Sequence, residues 1–162
     1  MNENKVPQLF IATGATKWND PQHFPWTMAS IPSYHSEAHV YTKYLLANDR
    51  DGKIGILCQN DDYGKDYLKG FKDGIAGKMR IVAEFPYEPS EPTIYSQIAS
   101  LQASGADVFF DASSAKFAAQ AIKHAAELGW RPIHILNSVS ASIGSVFKSA
   151  GLGNSKGILA AS

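Results

Sequence analysis

Four short segments of the chain combine hydroxyl, amide and acidic side chains, and each follows a short apolar run. They are residues 13–16, 59–63, 111–114 and 137–140. Hydroxyls and free backbone N–H groups suit the recognition of a carboxylate or another small polar ligand. The same residue types are preferred N-caps of helices, so capping is the alternative interpretation. No segment contains a nucleophile, a base and an orienting group together, and the sequence therefore predicts a binding protein rather than an enzyme.

Metal chemistry is a weaker interpretation of the acidic and imidazole side chains. Asp61 and Asp62, together with Asp111, could form an Mg²⁺ pocket of the phospho-acceptor receiver kind. His35 and His39 stand four residues apart, a spacing that can bind a metal on one helix face. The residues between these histidines do not make a metalloprotease motif, no third ligand is evident, and no glycine-rich phosphate loop occurs. We therefore predict no metal and no cofactor.

The composition excludes several function classes. The chain has 162 residues, about the size of one domain, with 15 basic and 15 acidic side chains and no net charge. A neutral chain has no global field to attract nucleic acid, so nucleic-acid binding is not predicted. Cys58 stands alone and cannot form an internal disulfide. The sequence shows neither a signal-peptide pattern nor an apolar run of membrane-spanning length.

Alternating strand and helix patterns predict the scaffold that positions these segments. Apolar runs suited to buried strands occur at residues 54–58, 81–85, 108–110, 133–136 and 157–160. Their starts lie about 25 residues apart, the length of one strand and one crossover helix. Apolar residues at helical spacing fill the intervals, and an earlier helix is predicted over residues 34–47. The pattern predicts an α/β fold with a doubly wound, mostly parallel sheet.

The first 33 residues depart from this alternation. Strands are predicted at residues 6–11 and 26–31, with a loop and no helix between them. The two strands need sheet neighbours that the rest of the chain does not obviously supply, so we expect them to belong to a different domain. Unpaired strand edges of this kind could also pair between chains and give a swapped homodimer.

Three stretches of sequence together carry a family resemblance. They are residues 7–16, which include the loop Thr13-Gly-Ala-Thr16, residues 53–65, which include Asp62-Tyr-Gly64, and residues 98–110. The chain resembles the periplasmic substrate-binding proteins of branched-chain amino-acid ABC transporters. This resemblance implies one lobe of a two-lobed type I periplasmic-binding fold. Residues 1–31 would end the first lobe, residues 32–156 would form the second, and residues 157–162 would cross back toward the first.

The resemblance also implies a function and a set of ligand contacts. Such a protein is periplasmic, is not an enzyme, captures a small solute between its lobes and delivers it to an ABC transporter permease. A ligand-sensing domain of a receptor or regulator with the same fold is the alternative. The implied contacts are Thr13, Gly14, Ala15, Thr16, Tyr63, Asp111, Ala112, Ser113 and Ser138.

One departure from the family pattern affects the expected ligand. Amino-acid binders place an acid after the strand that ends at Leu136, where this chain has Asn137-Ser138-Val139. A buried ammonium without a carboxylate partner is costly. The expected ligand is therefore a small carboxylate: either an amine-free aromatic or organic acid, or an amino acid whose ammonium is paired with Asp111.

Overall fold

The structure is a computed structural model, and it describes residues 1–48 and 51–161. Six strands, five α-helices and three further short helical segments (Thr16–Trp18, Ser138–Ser140 and Ile143–Phe147) occur in this part of the chain. The strands are β1 (Gln8–Ile11), β2 (Thr27–Ala29), β3 (Lys53–Gln59), β4 (Arg80–Tyr87), β5 (Val108–Ala112) and β6 (Ile133–Leu136). The helices are α1 (Tyr34–Asn48), α2 (Asp62–Ile75), α3 (Tyr95–Ala103), α4 (Ala115–Glu127) and the single turn α5 (Lys148–Ala150).

Four strands form one parallel sheet in the order β4-β3-β5-β6. Ile56 lies beside Phe110, and Phe110 lies beside Ile135, so the registers of the β3–β5 and β5–β6 pairs are continuous, whereas the β3–β4 register shifts between Ile54 and Gly55. Parallel strands require crossover connections, which α2, α3 and α4 supply. The carboxyl ends of all four strands consequently meet at one edge of the sheet. The predicted doubly wound α/β fold is confirmed.

Two hydrophobic layers sandwich this sheet, as the alternation of side chains along a strand requires. Ile56 and Phe110 point to the face covered by α1 and α2, whereas Leu57 and Phe109 point to the face covered by α3 and α4. The Phe71 ring of α2 stacks on Phe110 with 4.2 Å between ring centroids. All five side chains are fully buried, and each contributes about 1.5–3 kcal/mol by leaving water.

The helix ends follow the sequence signals closely. Helix α1 begins at Tyr34 as predicted and ends at Asn48, one residue beyond the predicted end. The three glycines predicted to end the next helices have left-handed backbone angles, with φ values of +71°, +73° and +69° at Gly77, Gly105 and Gly129. Glycine adopts this region without steric cost, which favours the ends of α3 and α4 two residues before Gly105 and Gly129, whereas α2 ends at Ile75, and Ala76, which precedes Gly77, is also left-handed, with φ of +46°.

The first 31 residues, called the first unit here, contain a two-stranded parallel sheet, and Ala15 of this segment packs in the same core as α1 and α2. Strands β1 and β2 pair with each other and not with the four-stranded sheet. Both strands are shorter than predicted, and their register shifts between Gln8 and Ile11. Phe10 has a φ of +57°, a left-handed angle that interrupts regular pairing within β1.

The prediction of a strand over residues 157–160 is wrong in its extent. Only Leu159 pairs with the sheet, by a parallel bridge to Ile135. The Leu136 amide donates to the Leu159 carbonyl at 2.8 Å, and the Leu159 amide donates to the His134 carbonyl at 2.9 Å. Gly157, with φ of +84°, breaks the extended conformation before a longer strand can form. Ser162, the last residue of the expected return crossing, lies outside the described residues.

Candidate ligand-binding site

A buried asparagine joins the ends of β5 and β6 to the start of α2 at the carboxyl edge of the sheet. The Asn137 amide nitrogen donates to the carbonyl oxygens of Asp111, at 3.1 Å, and Ser113, at 2.8 Å. Its Oδ1 lies 2.7 Å from the Tyr63 hydroxyl and 3.1 Å from the Ser140 amide. Asn137 is fully buried, so these bonds replace water on every polar atom of its amide group.

Tyr63 covers this network at the start of α2. Its ring is half-buried, and it meets the rings of Tyr34 and Tyr67 edge-on, with centroids 5.1 and 5.3 Å away. Burial raises the pKa of the Tyr63 hydroxyl well above its usual value, so the group remains a neutral hydrogen-bond donor. The hydroxyl also lies 3.1 Å from the Ser113 carbonyl. Tyr63 therefore closes the edge of the sheet over β5.

The three residues predicted as ligand contacts at the end of β5 lie beneath Tyr63. Asp111, Ala112 and Ser113 are all fully buried. One oxygen of Asp111 accepts from the amide and the hydroxyl of Ser113, and the other lies 3.2 Å from Nε2 of His134. Both carboxylate oxygens thus have partners within the chain and do not face the surface. Contact between a ligand and this group would require Tyr63 to move.

The loop at residues 13–16 lies against the other side of the cluster formed by the rings of Tyr34, Tyr63 and Tyr67. The Gly14 carbonyl accepts from the Tyr34 amide at 2.9 Å, and the Thr13 hydroxyl lies 3.4 Å from the Tyr34 hydroxyl. A Cβ on Gly14 would lie 2.6 Å from the Pro32 carbonyl and 2.7 Å from the Tyr34 ring, so this close approach requires glycine. The structure therefore brings the loop and Tyr63 together around one ring.

Two polar contacts hold the end of this loop to α2. The Thr16 amide donates to Oδ2 of Asp66 at 2.6 Å, and the Lys17 ammonium pairs with Asp62. The pair with Lys17 lowers the pKa of the Asp62 carboxyl. Both partners of that pair are largely exposed, so it contributes little to stability.

Ser138, the remaining predicted contact, is exposed and binds a residue that sequence reasoning did not single out. The Glu37 carboxylate accepts from the amide and the hydroxyl of Ser138, at 2.7 and 2.6 Å. It also accepts from the hydroxyls of Tyr41, at 2.6 Å, and Tyr67, at 2.7 Å. Glu37 and Ser138 are 101 positions apart, so no local pattern could have linked them.

A cavity of about 380 Å³ opens between the end of the first unit and the turn after β6. Its wall combines a tyrosine, a serine, one carboxylate and several apolar side chains. The lining residues are Ala12, Ile31, Pro32, Tyr34, Glu37, Ser138 and Val139. The cavity adjoins the loop at residues 13–16 and is large enough to hold a small organic ligand.

Among the described residues, the acidic and histidine side chains considered for metal binding do not form a metal site. Asp61 accepts from the Gly64 amide at 3.1 Å and caps α2, as the capping interpretation predicted for such residues. Asp62 and Asp111 have the separate partners described above, and His35 binds Asp73 at 3.0 Å. Within residues 1–48 and 51–161, no three acidic, histidine or cysteine side chains are placed to hold a metal ion. None of the described helices is long and apolar enough to cross a bilayer.

Solved structures of known proteins share this fold. A substrate-binding periplasmic protein (Pbp) from Ralstonia solanacearum superposes with a TM-score of 0.84 at 25% identity, over 96% of this chain and 43% of that chain. A branched chain amino acid ABC transporter from Thermus thermophilus with bound valine gives a TM-score of 0.87 at 15% identity, over 99% of this chain and 42% of that chain. The chain therefore spans less than half the length of these two proteins.

One curated protein similar to this chain is a receptor. G-protein coupled receptor family C group 6 member A from Carassius auratus is 25% identical over 87 residues, which are 51% of this chain and 10% of the receptor. The sequence pattern of the family described as periplasmic binding protein matches residues 1–162. Because that match spans every residue and the fold agrees with it, the chain belongs to the periplasmic binding protein family.

Proposed function

We propose that the chain forms one lobe, with the end of the other, of an extracytoplasmic solute-binding protein of an ABC importer. The observation that carries this proposal is the meeting of the loop at residues 13–16 with the polar strand ends, beside an open cavity of about 380 Å³. In a two-lobed protein, this cavity would lie at the hinge side of the cleft between the lobes. Residues 1–31, 32–156 and 157–162 are proposed as the first-lobe end, the second lobe and the return crossing.

The ligand proposed for this cleft is a small carboxylate. Within the described residues, the backbone N–H groups of Thr13 and Gly14 have no hydrogen-bond partner, and Gly14 is buried. Unpaired donors in a partly buried loop favour a ligand that accepts hydrogen bonds, as a carboxylate does. Valine, bound in the Thermus thermophilus structure, carries such a group. The backbone of Ala15 and the side chains of Thr16, Tyr63 and Ser138 would complete the contacts.

Asp111 has a different proposed role from the other site residues. Because Asp111 is fully buried beneath Tyr63, with both of its oxygens held by partners in the chain, we propose that it orients Ser113 and His134 rather than pairs with the ligand. Ala112 and Ser113 would then support Tyr63 from below. Closure of the two lobes on the ligand would follow from tighter binding to the closed form, which shifts the population toward it and presents it to a membrane permease.

A panel of ligands tests this function. We expect amino acids, aromatic acids or aliphatic acids to raise the melting temperature of the full-length natural polypeptide that contains these residues. A ligand at 100 times its dissociation constant adds about 2.7 kcal/mol of stability, which a thermal-shift assay detects. Calorimetry should show far weaker binding to the 162-residue chain alone, because it supplies only part of the cleft. Equal affinities for the two proteins would contradict the split site.

The apolar surface of the first unit predicts self-association of the isolated chain. Leu9, Phe10 and Met28 are 58%, 65% and 47% exposed on the β1–β2 pair. We propose that this surface packs against the rest of the first lobe in the complete protein. In the isolated chain the same strands should pair between two copies, and sedimentation should show a concentration-dependent dimer. A monomer at all concentrations would contradict this expectation, and Phe10→Ser with Met28→Ser should abolish the dimer.

Ligand sensing is the second candidate function. The similarity of 87 residues to a family C receptor supports it, because a sensing domain and a transport protein can share one fold. The neighbouring reading frame distinguishes the two. A kinase, channel or receptor segment joined to this domain would favour sensing, whereas transporter subunits encoded beside it would favour import.

A further inference from the structure

We infer that Glu37 is a specificity-determining residue that selects ligands carrying a positively charged amine. This inference rests on the proposed function, because it concerns the ligand of the same cleft. Glu37 lies on α1 and contributes a carboxylate to the cleft. It was not among the ligand contacts that the sequence implied.

The position of Glu37 is the first observation. It lines the cavity of about 380 Å³ and also a neighbouring one of about 270 Å³, whose other walls are formed by α1, the turn after β6 and the end of the described chain. It is the only charged side chain among the described residues that line either cavity. A cation entering from either side would therefore meet one carboxylate and no competing cation.

The hydrogen bonds of Glu37 are the second observation. All four donors around its carboxylate are neutral: the hydroxyls of Tyr41 and Tyr67, and the amide and hydroxyl of Ser138. No lysine, arginine or histidine of the described residues forms an ion pair with it. The donors use acceptor sites on both oxygens and fix the orientation of the carboxylate, but none of them is a cation. Glu37 is half-buried beside the cavity, whereas Asp111 is fully buried, so the Glu37 charge can attract a cation in the cavity.

The remaining wall of the cavity suits the apolar body of such a ligand. The Tyr34 ring and the side chains of Ile31, Pro32 and Val139 line the same space as Glu37. An aromatic ring beside a carboxylate attracts a cation in addition to packing against apolar groups. The combination favours a small amine with a hydrocarbon side chain over an amine-free acid of the same shape.

Pairs of ligands that differ only in the amine test this inference. The pairs are leucine and 4-methylpentanoate, valine and 3-methylbutanoate, phenylalanine and 3-phenylpropanoate, and glutamate and glutarate. The protein is the full-length natural polypeptide that contains these residues, and calorimetry measures each affinity. We expect the wild type to prefer the amine-bearing member of the best-bound pair by roughly tenfold or more, because a charged amine is attracted by a carboxylate that has no counter-charge beside a partly enclosed cavity.

The variant Glu37→Gln should remove that preference. It keeps the size of the side chain and one oxygen acceptor, so the affinity for the amine-free acid should stay within about twofold, whereas the affinity for the amine should fall roughly tenfold. Glu127→Gln, at the exposed end of α4, makes the same charge change away from the cavity and should leave both affinities unchanged. A purely structural role of Glu37 would lower the melting temperature without changing the ratio within a pair.

Each outcome decides the question. If the amine-free acids bind as well as or better than their partners, Glu37 does not select amines, although the proposed solute-binding function stands. If the wild type prefers amines but Glu37→Gln keeps the preference, another group supplies the counter-charge and the inference is overturned. Should Glu37→Gln fail to fold, Glu37→Asp replaces it. This variant keeps the charge but withdraws it from the cavity, and an unchanged ratio within each pair would overturn the inference. If no member of any pair binds, both the carboxylate function and the inference fall.

Discussion

Replacing Asn137 by aspartate should lower the free energy of unfolding by about 3 kcal/mol, although the two side chains have nearly the same shape. The amide nitrogen of Asn137 donates to two main-chain carbonyls, at 3.1 and 2.8 Å. In the variant, a carboxylate oxygen would face those same oxygens. The site is fully buried, so water cannot separate the repelling groups. Because the loss falls on the residue that ties β5 to β6, it should weaken the whole edge of the sheet.

Chemical denaturation at neutral pH measures this effect, and Asn4→Asp serves as its control because Asn4 is exposed and uses no side-chain hydrogen bond. The introduced acid in the buried position should have a raised pKa, since burial and the neighbouring carbonyls disfavour its charge. The defect should therefore shrink toward about pH 4, where the protonated acid can again donate, and grow as the pH rises. A loss no larger than that of Asn4→Asp would contradict the role assigned to Asn137.

The scaffold was predictable because its signals are local. A parallel strand buried on both faces needs a short apolar run, and a crossover helix needs an apolar stripe that ends in a residue tolerant of positive φ. Residues 133–136 and Gly105 carry such signals, and the structure agrees at both places. The failure at residues 157–160 has the same origin: an apolar run beside the sheet does not by itself supply hydrogen-bond partners for more than Leu159.

The site was only partly predictable because its contacts join distant parts of the chain. The segments after β3, β5 and β6 were found, since topology places every strand end at one edge. The direction of Asp111 depends on His134 in the adjacent strand, which the pattern of apolar residues does not report. Glu37 lies in the first turn of α1, where an acid is expected merely to favour the helix dipole. Only the packing of α1 against the turn after β6 brings it to Ser138.

Four buried tyrosine hydroxyls near the site predict that the chain unfolds over a narrow range of alkaline pH. Burial is the main cause that raises the pKa of Tyr41, Tyr63, Tyr67 and Tyr87 well above the usual value of about 10, and the Glu37 carboxylate adds to the effect at Tyr41 and Tyr67. Burial also raises the pKa of the Cys58 thiol to about 11. All five groups remain neutral in the folded chain while their unfolded counterparts ionise.

These raised pKa values destabilise the folded chain as the pH becomes alkaline. Because the folded-state pKa values lie above the unfolded ones, the stability is intact below the unfolded values and is lost as the pH rises past them. The thiol begins to lower the free energy of unfolding near about pH 8.5, and the phenols begin to lower it near about pH 10. Each group lowers it by about 1.4 kcal/mol per pH unit. By about pH 11, the four phenols together cost about 6 kcal/mol, a large part of the ~5–15 kcal/mol that stabilises an ordinary domain.

In a background of Tyr44→Phe and Tyr95→Phe, which removes two exposed phenols, we therefore expect cooperative unfolding between about pH 10 and pH 11.5, with circular dichroism and phenolate absorbance changing together. Cys58→Ala should abolish the early loss of stability between about pH 9 and pH 10 and leave the later phenolic transition in place, because it removes the thiol and keeps the tyrosines. Separate transitions would have a different meaning. If the phenolate absorbance rose gradually while the helices persisted to about pH 12, the hydroxyls of the Glu37 and Asn137 networks would be reached by water in the folded chain, and the tightly closed strand-end edge that underlies the binding proposal would be wrong.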